Sequence, residues 1–576
     1  MKYRQRTFHT GNIIETILNG RGIENIEQFL NPTNADDTKL ELVKNLEEGV
    51  KLIKDNLGKK ILILVDSDCD GYTSASIMYQ YLKAVNPDID IHFYVHETKL
   101  HGLTNQFMDY IKDKSYDLII IPDAGSNDVE NIELLERTYD TRVLVIDHHE
   151  IEKESPYGVI INNQACENTN SNLTGAGMAY IFCRALEREF RTGKLEELAD
   201  LAMIGLIGDS ANLRDNEVRF LCMNAIKGIT NNLLKTFYQV NGKGTENLII
   251  KDLSFSGIIP MINAVVRVGT LEERIQLFQA LSNIDCDYTT VVEKRKLNKE
   301  TRKYEIKAFE MNAYEYMVEV GTKAKSRQDS ITKKVIKSVE KQYDPSSGIQ
   351  LFIIDDNEEA KGITGLIANK LSGQYQQPCI VMWESPEHGN YIGSLRGNVK
   401  VLKDFKQWCT NTGLFSLAQG HPNAAGIILP TSNLEQLREM ARNVEAEEYC
   451  NDVDLIYKGF VNVEDVKIVN RYKHLWYGGV EEPLFAVEQI EVPKSALVLN
   501  KSTMKFYVNG LTYIKFRTSE SEFNSLKYGN GFDETVTLNL VGRFDINTWN
   551  GNCYPQFVID DYEVAEKEVN LYGIFA

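Results

Sequence analysis

The sequence predicts an α/β protein: a parallel-sheet domain, long connecting helices, a second α/β domain and a small C-terminal β-barrel, in that order. Three observations carry this expectation. Aliphatic runs at Ile61–Val65, Leu118–Pro122 and Val143–Ile146 each stop at an acid, namely Asp66, Asp123 and Asp147, with helix-like segments between them. Right-handed crossovers make such strands parallel and bring their acidic ends to one edge. A long periodic stretch without Pro, Glu293–Lys341, reads as helix, and from about Val453 short alternating strands with Gly and Asn turns read as a barrel.

In chain order, residues 1–45 hold an amphipathic opening, Ile13-Ile14-Glu15-Thr16-Ile17-Leu18, and a stop at Asn31-Pro32, expected to pack on the domain that follows. That domain, 46–290, starts with a helix over 40–56 feeding the first strand. A helix over Thr73–Ala84 lies behind the acids, Thr174-Gly175-Ala176-Gly177 precedes another, and an apolar helix over Leu198–Ile207 ends at Gly208-Asp209-Ser210, which presents a fourth acid. The connector, 291–341, is locally basic: Glu293 to Lys341 contains fourteen Lys or Arg against eight Asp or Glu. Residues 342–450 resume the α/β pattern with a strand at Ile349–Ile354, a helix at Thr364–Tyr375 and two glycine-rich turns. The barrel takes 451–576.

Composition narrows the function classes. Hydrophobic residues make up 43% and charged residues 25% of 576, ordinary values for a globular protein, and no apolar run approaches the roughly 20 residues that span a bilayer. With no apolar signal core behind Met1–Thr7, the expected location is the cytoplasm. Nine scattered cysteines without a C-x-x-C pair indicate neither a disulfide framework nor a zinc ribbon. Cys69, among the motif acids, is read as incidental because hard divalent ions prefer oxygen. A net charge of −19 speaks against a polyanionic partner only globally, since local basic patches decide such contacts.

The chemistry lies in the strand-end acids. Asp66, Asp68 and Asp70 fall within five residues and repel one another unless a cation binds. Adjacent imidazoles, His148 and His149, follow Asp147. Imidazole beside carboxylate suits Mn²⁺ or another borderline ion, and a carboxylate-rich site equally accepts Mg²⁺. Two ions about 3.5–4 Å apart would activate water for displacement at phosphorus.

Asp66-x-Asp68-x-Asp70-Gly71, Asp123, Asp147-His148-His149 and Asp209 resemble the four motifs of the DHH phosphoesterase superfamily. Arg21-Gly22-Ile23, Pro260–Gly269, Gly393-Ser394-Leu395-Arg396 and Gly420–Gly426 are similar to signatures of its RecJ branch, the single-strand-specific 5′→3′ exonucleases. Glu482-Pro483-Leu484-Phe485 and Asn547-Thr548-Trp549-Asn550-Gly551 are similar to elements of the RecJ OB domain. The resemblance implies a DHH domain, a DHHA1 domain at 342–450 and an OB-like barrel. It implies that Asp68 and Asp123 hold one of two Mn²⁺ or Mg²⁺ ions and that Asp70, Asp123, His148 and Asp209 hold the other. Asp66 would serve as a ligand or support one, and His149 would stand next to the scissile phosphate. Arg267, Asn263, Ser394, Arg396 and His421 would bind substrate phosphates.

The resemblance further implies a monomeric enzyme that releases 5′-mononucleotides from single-stranded DNA, with a single-strand-binding protein or a helicase as protein partner and no membrane. The alternatives are hydrolysis of short oligonucleotides or cyclic dinucleotides, and an inert replication scaffold. The chain departs from the family pattern at Gln419, at Val265-Val266, and at Leu100-His101-Gly102-Leu103, where the family has Gly-Tyr-Gly-Leu.

Overall fold

Five runs of β-branched and aliphatic residues build the first sheet of this computed structural model: β1 (Ile61–Val65), β2 (Ile91–Val95), β3 (Leu118–Pro122), β4 (Arg142–Asp147) and β5 (Val159–Asn162). All pairs are parallel, in the order β2-β1-β3-β4-β5. Every residue of β1 and β3 is buried, as strands covered by helices on both faces must be. The chain order reverses between β1 and β3, so a crevice opens outside their carboxyl ends. The structure describes residues 1–34, 38–165, 169–297, 302–355, 357–386, 388–446, 448–529, 533–549 and 552–565. Asn550 and Gly551 of the barrel motif lie outside them.

Helix α1 (Cys69–Val85) starts four residues earlier than the sequence suggests, because Asp68 caps it by accepting the Gly71 amide at 3.0 Å. Asp70 therefore sits in the first turn. Helices α2 (Gly175–Phe190) and α3 (Ala199–Gly208) pack against α1 and against each other. Residues 200–207 of α3 are all buried, which suits a helix apolar all round. Helices α4 (Ile258–Val268) and α5 (Leu271–Ser282) follow.

The 291–341 connector is not helical throughout, which corrects the expectation. Thr289–Leu297 (β6) and Tyr304–Asn312 (β7) form an antiparallel hairpin. Its β-branched start, Thr289-Thr290-Val291-Val292, and its alternation of exposure along both strands fit a ribbon rather than a helix. A single helix follows, α6 (Ala313–Val339), opened by a capping box between Asn312 and Glu315 and about 40 Å long.

The second sheet contains β8 (Gln350–Ile353), β9 (Cys379–Ser385), β10 (Asn390–Arg396), β11 (Leu417–His421) and β12 (Ala424–Pro430), in the order β11-β12-β10-β9-β8. Only β8 and β9 are parallel. Helix α7 (Thr364–Tyr375) packs on this sheet, and separate apolar cores cover its two faces.

These elements belong to one compact unit, Thr33–Glu448; the other is Met1–Pro32 with Tyr449–Ala576. The second unit holds a seven-stranded sheet of β13 (Leu455–Lys458), β14 (Phe485–Pro493), β15 (Val498–Asn500), β16 (Thr503–Val508), β17 (Leu511–Phe516), β18 (Thr535–Trp549) and β19 (Asn552–Val564). Its order is β13-β14-β18-β19-β17-β16-β15, and bulges in β14 and in the β18–β19 pair bend it around one core.

The N-terminal segment packs differently from the expectation. Ile13, Ile14, Ile17, Leu18 and Phe29 join the core of the barrel, with Val466, Trp476 and Phe544. Arg21 is locked there in a buried ion pair with Asp454, whose Oδ2 also accepts the Leu484 amide at 2.9 Å. The end of the 1–45 segment, from Thr33, belongs to the unit of the parallel-sheet domain, where the Thr38 amide and hydroxyl donate to Glu217 at 2.8 and 2.6 Å. Among the described residues no helix is long and apolar enough to cross a membrane.

Candidate metal centre

The carboxyl ends of β1, β3 and β4 and the end of α3 converge. Asp66 follows β1, Asp68 and Asp70 open α1, Asp123 follows β3, Asp147 ends β4 with His148 and His149 behind it, and Asp209 caps α3. Three groups have ligand atoms within 4.8 Å of one another: Asp123, Asp147, His148 and His149; Asp66, Asp68 and His101; Asp70, His148 and Asp209. His148 links two of them. Its Nε2 lies 3.1 Å from Asp123 Oδ1, 3.8 Å from Asp209 Oδ2 and 3.9 Å from Asp70 Oδ2.

Backbone donors hold these acids in place. Asp70 accepts the Gly175 and Ala176 amides at 2.6 and 3.0 Å and the Thr174 hydroxyl at 2.9 Å, so the N-terminus of α2 points at it. Two glycines make room. A Cβ on Gly175 would stand 2.2 Å from Asp123 Oδ1, and one on Gly205 would stand 2.3 Å from Asp70 Oδ1. Asp123 takes a left-handed backbone, φ 68°, which Asp tolerates better than most side chains.

The donor set fits divalent cations. Asp123 Oδ1 is buried and among the described residues accepts no hydrogen bond. Burial first, then the neighbouring carboxylates Asp70 and Asp68, push the Asp123 carboxyl well above its ordinary value. Asp70 is raised mainly by burial and Asp209 is pushed up to about 7 by burial and the charges of Asp70 and Asp68. Asp209 also stands at a helix C-terminus, where the dipole disfavours an anion. Burial lowers His148, which keeps its ring neutral and able to ligate. A cluster of buried acids that resists ionisation alone is what a bound cation relieves.

Asp147 works differently from the other strand-end acids. Its Oδ1 accepts the His148 and His149 amides at 2.7 and 3.2 Å and faces His149 Nδ1 at 2.8 Å; its Oδ2 accepts the Ser126 amide at 3.1 Å. Burial opposes its charge, but the His149 ring, by hydrogen bond and charge, and the Ser126 side chain prevail and hold it well below the usual range. In return Asp147 raises His149 to about 9. Asp66 is similarly engaged: Oδ2 faces His101 Nδ1 at 2.6 Å and Oδ1 accepts the Gly102 amide at 2.9 Å.

Arg267 and Asn263 lie one turn apart on α4, Arg267 close enough to Asp68 to feel its charge. Burial and then Arg267 lower Arg396 at the end of β10, and Ser394 on the same strand faces the Thr364 hydroxyl at 2.9 Å. Register puts Arg396, Ala424 and His421 in one row and Ser394, Gly426 and Gln419 in the next. His421 is thus two strands from Arg396, about 10 Å, on the same face. It is exposed, and among the described residues no hydrogen bond or ion pair joins it to the acids.

Residues 60–206 match the DHH family, N-terminal domain, and residues 461–561 match the RecJ OB domain. The putative SPbeta prophage-derived single-strand DNA-specific exonuclease YorK of Bacillus subtilis is 34% identical over 575 residues, covering 96% of both chains. The chain belongs to the RecJ family. The single-stranded-DNA-specific exonuclease RecJ of Bacillus subtilis is 25% identical over 97% of this chain and 69% of its own. The fold is that of RecJ from Thermus thermophilus, solved in complex with Mn²⁺: TM-score 0.71 at 19% identity, covering 96% of this chain and 76% of that one.

Within this RecJ-family site three residues escape motif reading. Lys99 follows β2 and is exposed at the crevice; partial desolvation there and then the Arg267 guanidinium lower its ammonium against the pull of Asp68 and Asp66. Arg396 also touches this field, so Lys99, Arg267 and Arg396 form a cationic trio beside the acids. His101 is noted in the sequence only as a departure from the family pattern. Asp147 is visible as part of a motif, but its bracing role is not. Sequence alone lacks the strand order that sets β2 beside β1.

Proposed function

We propose that this chain is a metal-dependent single-strand-specific exonuclease that degrades DNA from the 5′ end and releases 5′-mononucleotides. The observation that carries the reading is the junction at His148, whose Nε2 meets Asp123, Asp70 and Asp209 within 3.9 Å beside a buried Asp123 oxygen without a hydrogen-bond donor. Its nuclease class and substrate rest on relatives named single-strand DNA-specific exonucleases.

In this reading Asp68 and Asp123, and Asp70, Asp123, His148 and Asp209, would hold a pair of Mn²⁺ or Mg²⁺ ions, with Asp66 in support through His101. When bound, the pair supplies a water acidic enough to attack phosphorus and offsets the charge of the phosphate. The chain's own groups do the rest. Asp147 fixes the His149 ring through Nδ1 and keeps it protonated at neutral pH, so its other nitrogen can donate to a phosphate oxygen. Arg267, Arg396 and Lys99 supply fixed positive charge on the substrate side, and Ser394, Asn263 and His421 are the proposed further phosphate contacts. The proposed working form is a cytoplasmic monomer served by a single-strand-binding protein or a helicase; the eight described cysteines are all unpaired.

The test is a digestion series on single strands blocked at the 5′ or the 3′ end, with Mn²⁺, Mg²⁺ or EDTA. Mononucleotide release from unblocked 5′ ends, abolished by EDTA, is the expected result. Degradation only from 3′ ends would reject the polarity. Activity that survives Asp70→Ala combined with His148→Ala would reject the assignment of the centre.

A further inference from the structure

The two ions of the proposed centre are unequally provided for. One would have Asp70, Asp123, His148 and Asp209, the other only Asp68 and Asp123, whereas a divalent ion of this kind takes about six ligands. Asp68 accepts the Gly71 amide at Oδ1 and, among the described residues, has no hydrogen bond at Oδ2. Asp123 Oδ1 also lacks one. Ligand atoms of Asp66, Asp68 and His101 lie within 4.8 Å of one another, a spread that one ion with bonds of about 2.0–2.6 Å can bridge.

The loop after β2 holds His101 in place. Next to it the Gly102 amide donates to Asp66 Oδ1 at 2.9 Å and the Leu103 amide to Asp128 Oδ2 at 2.7 Å. Gly102 is left-handed, φ 64°, and a Cβ there would stand 2.3 Å from Asp128 Oδ2, so the close approach needs glycine. Asp66 Oδ2 faces His101 Nδ1 at 2.6 Å, and among the described residues the ring makes no other hydrogen bond. A carboxylate on one ring nitrogen fixes the tautomer and leaves the other nitrogen for a metal. Asp66 is 1% exposed and the His101 side chain 53%, so an ion can reach the ring.

The geometry points to His101 as a further ligand of the ion held by Asp68 and Asp123, through the ring nitrogen that Asp66 leaves free. This deepens the proposed function and rests on its two-ion centre. A Tyr phenol, the family's group at this position, stays protonated near neutral pH and offers no comparable donor. Imidazole nitrogen is a ligand that Mn²⁺ accepts more readily than Mg²⁺, which holds to oxygen and water. His101 therefore tilts this one position of the centre toward Mn²⁺.

The experiment titrates the full chain with Mn²⁺ in the absence of DNA, reading free Mn²⁺ by its electron paramagnetic resonance and Mg²⁺ by its displacement of Mn²⁺. The parent is compared with His101→Tyr, which installs the family's residue, and His101→Gln, which can still donate to Asp66. The parent is expected to take up two Mn²⁺. In both variants one of the two should bind about tenfold or more weaker, since even a group behind a ligand is worth that much, while the other is retained and Mg²⁺ affinity falls far less. Pulsed resonance on the loaded parent should show imidazole nitrogen on both ions; nitrogen on one alone overturns the proposal without any variant. Unchanged Mn²⁺ affinities in both variants also overturn it, and a fall in strand affinity in their place would put His101 on the substrate. Equal losses for Mn²⁺ and Mg²⁺, or a loss in His101→Tyr that His101→Gln restores, would mean that His101 only braces Asp66 and is no ligand. A parent that takes up fewer than two Mn²⁺ would sink the two-ion reading and this inference together, whereas two ions in the parent with unaffected variants would sink the inference alone.

Discussion

Asp123 concentrates the strain of the candidate metal centre. It is buried, left-handed in its backbone, short of a hydrogen-bond donor at Oδ1 and surrounded by other acids. Replacing it with Asn removes a carboxyl whose ionisation burial and its acidic neighbours oppose, while keeping the shape. In metal-free protein Asp123→Asn is expected to raise the unfolding temperature of Thr33–Glu448, by about 1 °C for each kcal/mol in a unit this large. It should also abolish the thermal shift caused by Mn²⁺ and cut turnover about 10³-fold or more. Calorimetry with and without Mn²⁺ checks both; an unchanged or lower metal-free transition would mean the acids are not mutually repelling. Gly175→Ala tests spacing instead of charge. Its Cβ would press on Asp123 Oδ1, Cβ and Cγ, and a displacement of about 1 Å in such a site costs about 10²-fold in kcat. Circular dichroism should be unchanged. At this scale the acids were legible because aliphatic runs end on them, whereas Lys99 and His101 follow a strand whose neighbour in the sheet is set by tertiary packing.

The elements differ in how much of themselves they reveal. Strands β1, β3 and β4 are continuous apolar runs ending in acids, and nothing but a buried parallel strand satisfies that pattern. The hairpin was hidden by its charge: the lysines and the lack of Pro suggested helix, although Val291, Glu293, Arg295 and Leu297 alternate at period two with less exposed neighbours. The N-terminal helix Ile13–Gly20 was legible as amphipathic, but its partner lies more than 400 residues away and no local pattern names it. Arg21 shows how firmly that partnership is held, since its guanidinium reaches Asp454, the Glu481 carbonyl and the Ile17 carbonyl. Arg21→Ala leaves the Asp454 charge buried and is expected to destabilise the barrel unit by about 3–5 kcal/mol. Differential scanning calorimetry should show that transition moved down. The double change Arg21→Met/Asp454→Leu should recover much of the loss; failure to recover would mean the pair is needed for more than its mutual neutralisation.

For the whole molecule the central tension is an acidic protein that handles a polyanion. The fold class was legible from alternation of strand and helix followed by short strands, and the overall charge was legible too, but not where the charge lies. The structure gathers Lys99, Arg267 and Arg396 at the mouth of an acidic crevice, and among the described residues neither Lys99 nor Arg267 forms an ion pair with a carboxylate. Long-range repulsion at net −19 is screened beyond about 8 Å at physiological salt, so these few cations dominate the contact. Binding of a single strand should then weaken with salt at a log–log slope near −0.7 for each phosphate neutralised. Lys99→Ala removes one such contact without touching an acid. Its expected effect is a slope smaller in magnitude by about 0.7 and a loss of affinity that is uniform across sequences, with the Mn²⁺-induced thermal shift retained. An unchanged slope would mean that Lys99 serves the acids beside it and not the strand.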